Sequence, residues 1–276
     1  MQRLLIFLFT INQLFLFASE IDTLNVYSDS MKKSISNIII LPNSYSLNND
    51  PLPVVYLLHG FSDNYKTWIN NAPEIKDYVD KHNVIIVCPD GNYSSWYFDS
   101  PIDKSLKYET YISKELVESV DLNYNTLKNK KGRAITGLSM GGHGAFYLAF
   151  KHQDVWGAAG SISGGVDIVP FYNAGGSTRW DIPKRLGKFS DYPNNWINNS
   201  VINMVHLLKG DSLRLTFDCG IDDFFYNSNI RLHKVLKEEK IPHDFTERPG
   251  SHNWKYFSNS IEYHIIYFKK FFNEVE

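Results

Sequence analysis

The stretch Gly137-Leu138-Ser139-Met140-Gly141-Gly142-His143-Gly144 decides the fold of this chain. It contains the pattern Gly-x-Ser-x-Gly between residues 133–136, which predict a short strand, and residues 145–150, which predict a helix. A sharp turn of this kind strains the serine backbone and exposes its hydroxyl at the end of a sheet. Glycine is needed at positions 137 and 141, because a side chain there would collide with neighbouring backbone. The alternative is an ordinary glycine-rich turn that holds no nucleophile.

A helix that starts directly after Ser139 also predicts half of an oxyanion hole. The backbone N–H of Met140 would point to where a negative oxygen forms when the serine attacks. A second amide is needed, and we expect it from Phe61, which follows the apolar strand 53–58. We expect His59 to hold this loop without a chemical role.

A serine hydroxyl needs a base within hydrogen-bond reach, and that base needs an orienting carboxylate. Of the nine histidines, His252 lies in a glycine-containing loop after the last predicted strand, 243–247, where a base is expected. His59 precedes Ser139 in the chain, and His143 lies in the helix after it. The order serine, acid, histidine is that of the α/β-hydrolases.

The orienting acid has three candidates, Asp218, Asp222 and Asp223, which all follow or end the predicted strand 213–217. Adjacent side chains of an extended loop point in different directions, so only one of Asp222 and Asp223 can reach the imidazole. Asp218 lies at the strand end and is expected to fall short of the site. The residues alone leave the choice open.

The remaining chain alternates strands with helices, which predicts a mostly parallel central sheet covered by helices on both faces. Sites in such sheets lie at the carboxyl ends of the strands. The segment 167–200 breaks the alternation, and we expect it to form part of a pocket wall or a surface excursion without a role. The predicted strands are 34–41, 53–58, 83–88, 133–136, 157–162, 213–217 and 243–247, and the predicted helices are 74–82, 108–122, 145–150, 229–240 and 254–272.

Composition excludes several classes of function. The 276 residues are 43% hydrophobic and 21% charged, which supports a sizeable core. The net charge is −2 and no basic run is present, so nucleic acid is a poor partner. No spacing of cysteines and histidines resembles a zinc site, and we predict neither a metal nor a cofactor. Cys88 and Cys219 each end an apolar run and are expected to be buried free thiols, with a disulfide as the alternative.

The first 19 residues have the pattern of a secretory signal peptide: Arg3, then an apolar run to Phe17, then Ala18-Ser19. The run is too short to span a bilayer comfortably. A bulky residue stands where signal cleavage favours a small one, which leaves an uncleaved anchor as the alternative. We therefore predict an α/β-hydrolase domain over 20–276, secreted or periplasmic, with no membrane contact after cleavage and an oligomeric state left open.

Several motifs together resemble the esterase D superfamily of α/β-hydrolases, and the chain is most similar to its tributyrin esterase branch, near the S-formylglutathione hydrolases. Feruloyl and acetyl-xylan esterases and mycolyltransferases belong to the same wider superfamily. The similarity extends over nearly all of the chain after the signal segment, except 167–200. The motifs are Leu58-His59-Gly60-Phe61-Ser62-Asp63-Asn64-Tyr65 with Trp68, Ser95-Trp96-Tyr97 with Asp99-Ser100-Pro101, Gly137-Leu138-Ser139-Met140-Gly141-Gly142, Cys219-Gly220-Ile221-Asp222-Asp223-Phe224 and Gly250-Ser251-His252-Asn253-Trp254.

The resemblance implies a role for each matching position. It places the acid at Asp223, directly before the aromatic residue, and Asp222 is then expected to cap the loop or to accept backbone N–H bonds. Trp68, Trp96 and Trp254 flank motif loops and are expected to narrow the acyl site, with simple packing in the core as the alternative. The implied roles are nucleophile for Ser139, base for His252, acid for Asp223 and oxyanion donors for the backbone amides of Phe61 and Met140.

The leading functional prediction is a secreted serine carboxylesterase that hydrolyses short-chain or aromatic acyl esters through an acyl-enzyme. Its partner would be a small-molecule or polysaccharide-linked ester, because glutathione thioesters are cytosolic. The alternatives are an acyltransferase with the same triad, an S-formylglutathione hydrolase-type thioesterase, and a carbohydrate-binding protein that kept the fold and lost activity.

Overall fold

The computed structural model describes residues 19–47, 49–172, 180–210 and 213–274. The predicted signal peptide, apart from Ser19, lies outside these residues. Across the described ranges, no helix combines the length and the apolar character that a membrane span requires.

The described strands form one eight-stranded sheet in the order β1-β2-β4-β3-β5-β6-β7-β8. β1 and β2 run antiparallel, and β2 also pairs antiparallel with β4, whereas all other neighbours are parallel. The predicted mostly parallel α/β sheet is therefore confirmed. The strands are β1 Glu20–Ser28, β2 Lys33–Leu41, β3 Val54–Leu58, β4 Ile85–Pro89, β5 Arg133–Gly137, β6 Ala158–Ile162, β7 Arg214–Gly220 and β8 Asp244–Arg248.

Helices cover both faces of this sheet, as predicted. The segment 108–123, called α3, is one continuous helical stretch with a π-helical middle, Tyr111–Leu116. The helix after the serine begins at Met140, five residues earlier than the sequence pattern predicts. The helices are α1 Thr67–Asn71, α2 Ile75–His82, α3, α4 Met140–Lys151, α5 Ile182–Leu186, α6 Pro193–Asn198, α7 Tyr226–Glu238 and α8 Trp254–Glu274.

The central strand β3 shows why continuous apolar runs form such a sheet. All five of its residues are buried. Side chains alternate across a strand, so Tyr56 packs in the core on one face while Val55 and Leu57 pack in the core on the other. Because both faces of β3 pack in a core, its residues are apolar throughout and do not alternate with polar residues as in a half-exposed strand.

The edge strand β1 was not predicted from the sequence. It pairs along its whole length with β2, yet most of its residues are exposed. An edge strand with little buried side-chain area carries a weak hydrophobic pattern, and its polar residues suit a solvent-facing edge. Pairing with β2, and not the hydrophobic pattern of the segment itself, makes this segment a strand.

Candidate active site

The turn between β5 and α4 holds Ser139 in an unusual backbone conformation. Its φ is 55° and its ψ is −114°, a strained combination for a residue with a side chain. The surroundings hold it there, because its N–H donates to the Ile162 carbonyl at 3.0 Å and its carbonyl accepts from the amides of His143 and Gly165. The predicted strained turn is confirmed.

The two glycines of the turn are required by close backbone approach. A Cβ on Gly137 would lie 2.7 Å from the Leu58 carbonyl oxygen, and one on Gly141 would lie 2.5 Å from the His59 carbonyl oxygen. Both distances are shorter than real Cβ contacts allow. The turn can therefore pack against the loop after β3 only with glycine at these positions.

Ser139, His252 and Asp223 form a continuous hydrogen-bonded chain. The Ser139 Oγ lies 2.9 Å from His252 Nε2, and His252 Nδ1 lies 2.8 Å from Asp223 Oδ2. A carboxylate accepts only, so Nδ1 carries the proton and Nε2 is left to accept the serine O–H. The Asp223 side chain is fully buried, and the Phe224 and Phe257 rings pack against the imidazole at centroid distances of 4.3 and 5.0 Å.

The loops that bear the acid and the base are bonded to each other. The Ile221 amide donates to the Arg248 carbonyl, and the Asp222 amide donates to the Gly250 carbonyl. Gly220 and Gly250 approach so closely that a Cβ on Gly220 would lie 2.3 Å from the Gly250 carbonyl oxygen. The two loops consequently behave as one packed unit.

The three candidate acids have different environments. Asp223 meets His252 through Oδ2 and accepts the Phe225 amide through Oδ1 at 2.8 Å. Asp222 is exposed, and its carboxylate accepts no hydrogen bond from any described residue, so the expected loop cap is wrong. Asp218 is buried against a different histidine, His264, and falls short of the site as predicted.

The amides of Phe61 and Met140 are the predicted oxyanion donors. Phe61 and Ser139 line the same cleft, and Met140 starts α4 directly behind the serine. Neither amide donates a hydrogen bond to any described residue. Both N–H groups are therefore available to a bound oxygen.

His59 fixes the loop that carries Phe61. Its Nε2 accepts the Gly91 amide at 2.8 Å, so its Nδ1 carries the proton and donates to the Gly60 carbonyl, also at 2.8 Å. Burial lowers the pKa of this imidazole, which favours the neutral ring that the pairing requires. The ring therefore holds the loop after β3, as the sequence predicted, and it does so by joining this loop to the one after β4.

His143, in α4, is a second buried histidine near the serine. Its Nε2 lies 2.9 Å from the Asn199 carbonyl oxygen, and the rings of Trp96 and Phe98 pack against it. Burial lowers its pKa to about 3, so the ring is neutral at physiological pH. Its contacts anchor α4 to the segment after α6.

A cleft of about 320 Å³ opens above Ser139 and is walled mainly by aromatic rings. Trp180 comes from the segment 167–200, in agreement with the expected pocket wall. Phe224, Asp63 and Phe257 are lining residues for which sequence reasoning assigned no role, since their membership depends on packing between distant loops. The lining residues are Gly60, Phe61, Asp63, Leu138, Ser139, Trp180, Phe224, His252, Asn253, Trp254 and Phe257.

Only one of the three tryptophans expected at the acyl site lines the cleft. Trp254 does so, whereas Trp68 and Trp96 are buried in the core. Each of these two supports a lining residue instead. The Trp68 ring packs edge-on against Trp254 at 5.2 Å, and the Trp96 indole donates to the Trp180 carbonyl at 3.0 Å.

No described group of three or more histidine, cysteine, aspartate or glutamate residues could hold a metal ion. Cys88 and Cys219 are both buried and free, as expected. Burial raises the pKa of both thiols, which makes them poor nucleophiles.

Comparison with known proteins places the chain in a family. Residues 28–267 match the family described as "Putative esterase". An acetyl esterase of Caldicellulosiruptor saccharolyticus is 26% identical over 264 residues, which cover 87% of this chain and 96% of that protein.

Solved structures agree with this assignment. A ferulic acid esterase has a TM-score of 0.78 and 26% identity, covering 93% of this chain and 99% of the other. FphF, a fluorophosphonate-binding serine hydrolase of Staphylococcus aureus, has a TM-score of 0.80 over 92% of this chain and 99% of its own, and its 22% identity supports the fold alone. The chain therefore belongs to the esterase family and has the α/β-hydrolase fold, and it is a serine hydrolase that acts on ester bonds.

Proposed function

We propose that this protein is a secreted carboxylesterase that uses Ser139, His252 and Asp223 as its catalytic triad. Ser139 attacks the ester carbonyl while His252 Nε2 takes the hydroxyl proton. The amides of Phe61 and Met140 bind the oxyanion, and each such donor contributes about 3 kcal/mol to lowering the barrier. His252 then protonates the departing alcohol, and water releases the acyl group from Ser139.

The observation that carries this proposal is the unbroken chain from Ser139 Oγ to Asp223 Oδ2, with links of 2.9 and 2.8 Å. Both distances lie within the range that proton transfer requires. The imidazole is held by Asp223 on one side and by aromatic rings on its faces, so the serine needs no rearrangement before attack.

The aromatic walls of the cleft support short-chain or aromatic acyl groups. The Trp180 and Phe224 rings lie nearly parallel, at an interplanar angle of 22° and a centroid distance of 6.2 Å. A volume of about 320 Å³ is at the small end of ligand pockets. Flat or short apolar groups fit such walls, whereas a long alkyl chain would extend into solvent.

This size limit leads to a test of function and specificity together. Nitrophenyl acetate and butyrate should have kcat/KM values about 10-fold or more above that of the palmitate, because a palmitoyl chain exceeds the cleft and would displace the ester carbonyl from Ser139. Trp180→Ala should reduce this preference by widening the cleft. Higher kcat/KM for palmitate in the wild-type enzyme would contradict the proposed specificity, and hydrolysis of none of the three would contradict the proposed carboxylesterase.

A groove that carries amide, hydroxyl and ammonium side chains supports a hydroxyl-rich alcohol on the other side of His252. The leaving oxygen must approach His252 Nε2 to be protonated, so the alcohol part of the ester lies towards the loop that carries this histidine. Asn253 lines both the cleft and the neighbouring groove. The groove has a volume of about 600 Å³ and is lined by Pro249, Gly250, Ser251, Asn253, Lys255, Tyr256 and Asn259, which suits a carbohydrate-linked ester.

Secretion is the second part of the proposal and is supported by the apolar segment between Arg3 and Ala18. We expect the mature protein to begin near Glu20, which is the first residue of β1. N-terminal sequencing of the protein from its native host measures this. Recovery of a chain that keeps Met1 in a soluble cytosolic fraction would contradict it.

A further inference from the structure

A buried polar cluster lies beneath the catalytic loops and takes no part in the proposed chemistry. Asp218 Oδ2 is its centre and meets the Arg248 guanidinium at 3.1 Å, His264 Nε2 at 3.0 Å and the Ser260 hydroxyl. The second nitrogen of His264 lies 2.8 Å from the Thr136 hydroxyl. We name these five residues the Asp218 cluster.

The cluster touches every element that carries a member of the triad. Thr136 lies in β5 three residues before Ser139, and Asp218 lies in β7 five residues before Asp223. Arg248 ends β8, four residues before the base. Ser260 and His264 both lie on α8, which therefore links the three strands.

Burial fixes this arrangement. Thr136, Ser260, His264 and Asp218 are each at most 2% exposed. Burial alone would raise the pKa of Asp218, but its contacts with His264 and Arg248 outweigh this and hold the pKa below its ordinary value, so the carboxylate is charged. The His264 ring can occupy its position only because residue 160 of β6 is glycine: a Cβ on Gly160 would lie 2.4 Å from the ring.

A gain in the stability of the fold does not readily explain why a buried charged cluster is present here. A buried ion pair must offset several kcal/mol of desolvation for each charge, and well-packed apolar residues often replace it without loss of stability. The ion pair and the hydrogen bonds instead fix the orientation of the groups that they join, because each bond holds one atom in place relative to another. Triad geometry depends on such precision, since a displacement of about 1 Å can lower the rate about 10²-fold.

We propose that Thr136, Asp218 and Arg248, joined through Ser260 and His264, are positioning residues that set the separation of Ser139, Asp223 and His252. This inference rests on the function proposed above. The cluster lies outside the cleft lining, so it acts on the alignment of the triad and leaves substrate binding unchanged.

Two variants test the cluster, one at its contact in β5 and one at its contact in β8. Thr136→Val keeps the shape of the side chain and removes its hydroxyl, whereas Arg248→Met keeps an apolar stem and removes the charge. Each should lower kcat by about 10- to 100-fold with KM changed less than about twofold. Arg248→Lys restores the positive charge and should recover part of the lost kcat.

Matched controls separate alignment from general stability. Arg214→Met removes an exposed ion pair with Glu274 from the other end of β7 and should keep wild-type kcat. Ile265→Val trims a fully buried residue beside His264 on α8 and should lower Tm while keeping kcat. If Arg248→Met does not fold, Ser260→Ala replaces it with the same expectation for kcat.

The outcomes distinguish this inference from the proposed function. Loss of kcat in Thr136→Val and Arg248→Met, at a Tm no lower than that of Ile265→Val, supports positioning. Wild-type kcat in both folded variants overturns it while the esterase assignment stands. An equal loss of kcat in Ile265→Val also overturns it. A wild-type enzyme that neither hydrolyses esters nor reacts with a phosphonate refutes the proposed function itself.

Discussion

Replacing Ser139 by alanine should abolish ester hydrolysis and leave the fold intact. Loss of a triad member lowers kcat by about 10⁴- to 10⁶-fold, because the oxyanion donors and the binding cleft alone retain only a small part of the rate enhancement. The strained backbone at φ 55° is held by bonds to main-chain atoms, which alanine keeps. Measurement of kcat with nitrophenyl butyrate, and of Tm for both proteins, checks the expectation.

Covalent labelling gives an independent measure of the same residue. The wild-type protein should form a stable adduct with an organophosphonate at Ser139, detected by peptide mass spectrometry, and Ser139→Ala should form none. Ser105→Ala, which alters an exposed serine bonded to Asp103, serves as the control and should label like the wild type. Near wild-type turnover by a pure Ser139→Ala sample would refute the nucleophile assignment.

Exchange of Asp223 for asparagine should be almost as damaging. The amide can still accept the Phe225 N–H, so the loop should keep its shape. Its NH₂ group would face His252 Nδ1 and favour the tautomer in which Nε2 carries the proton and cannot accept from serine. The corresponding change in a serine protease triad lowers kcat about 10⁴-fold. Steady-state kcat together with Tm measures this loss separately from stability.

Asp222→Asn is the matched control for that experiment. The side chain is exposed and receives no hydrogen bond from a described residue, so both kcat and Tm should stay near the wild-type values. If Asp222→Asn were inactive and Asp223→Asn active, the acid would be the neighbouring residue.

Features with a local cause were predictable from the sequence. The turn at Ser139 needs its glycines within four residues, and β3 needs a continuous apolar run. The acid could be narrowed only to three aspartates from the residues alone, because the choice depends on which side chain reaches a loop 29 residues further along the chain. Family resemblance selected Asp223, and the same carboxylate meets His252 in the structure.

Features with a distant cause were not predictable in this way. Trp68, Trp96 and Trp254 all flank motif loops, and nothing local separates the one that lines the cleft from the two that support it. The bond between Asp218 and His264 joins residues 46 positions apart, without a pattern that indicates the pairing. β1 was missed because its partner, and not its own composition, makes it a strand.

The close approach of Gly220 and Gly250 has a consequence for how this catalyst can diversify. A mutation that adds even one carbon to Gly220 would push apart the loops that carry Asp223 and His252. Substitutions in this pair of loops are therefore a poor route to new specificities. We expect variation to be tolerated better at Trp180, which lines the cleft from the segment 167–200. Laboratory libraries that seek a new acyl preference should be concentrated on Trp180, with Phe224 and the two glycines kept, because the Phe224 ring packs against the His252 imidazole.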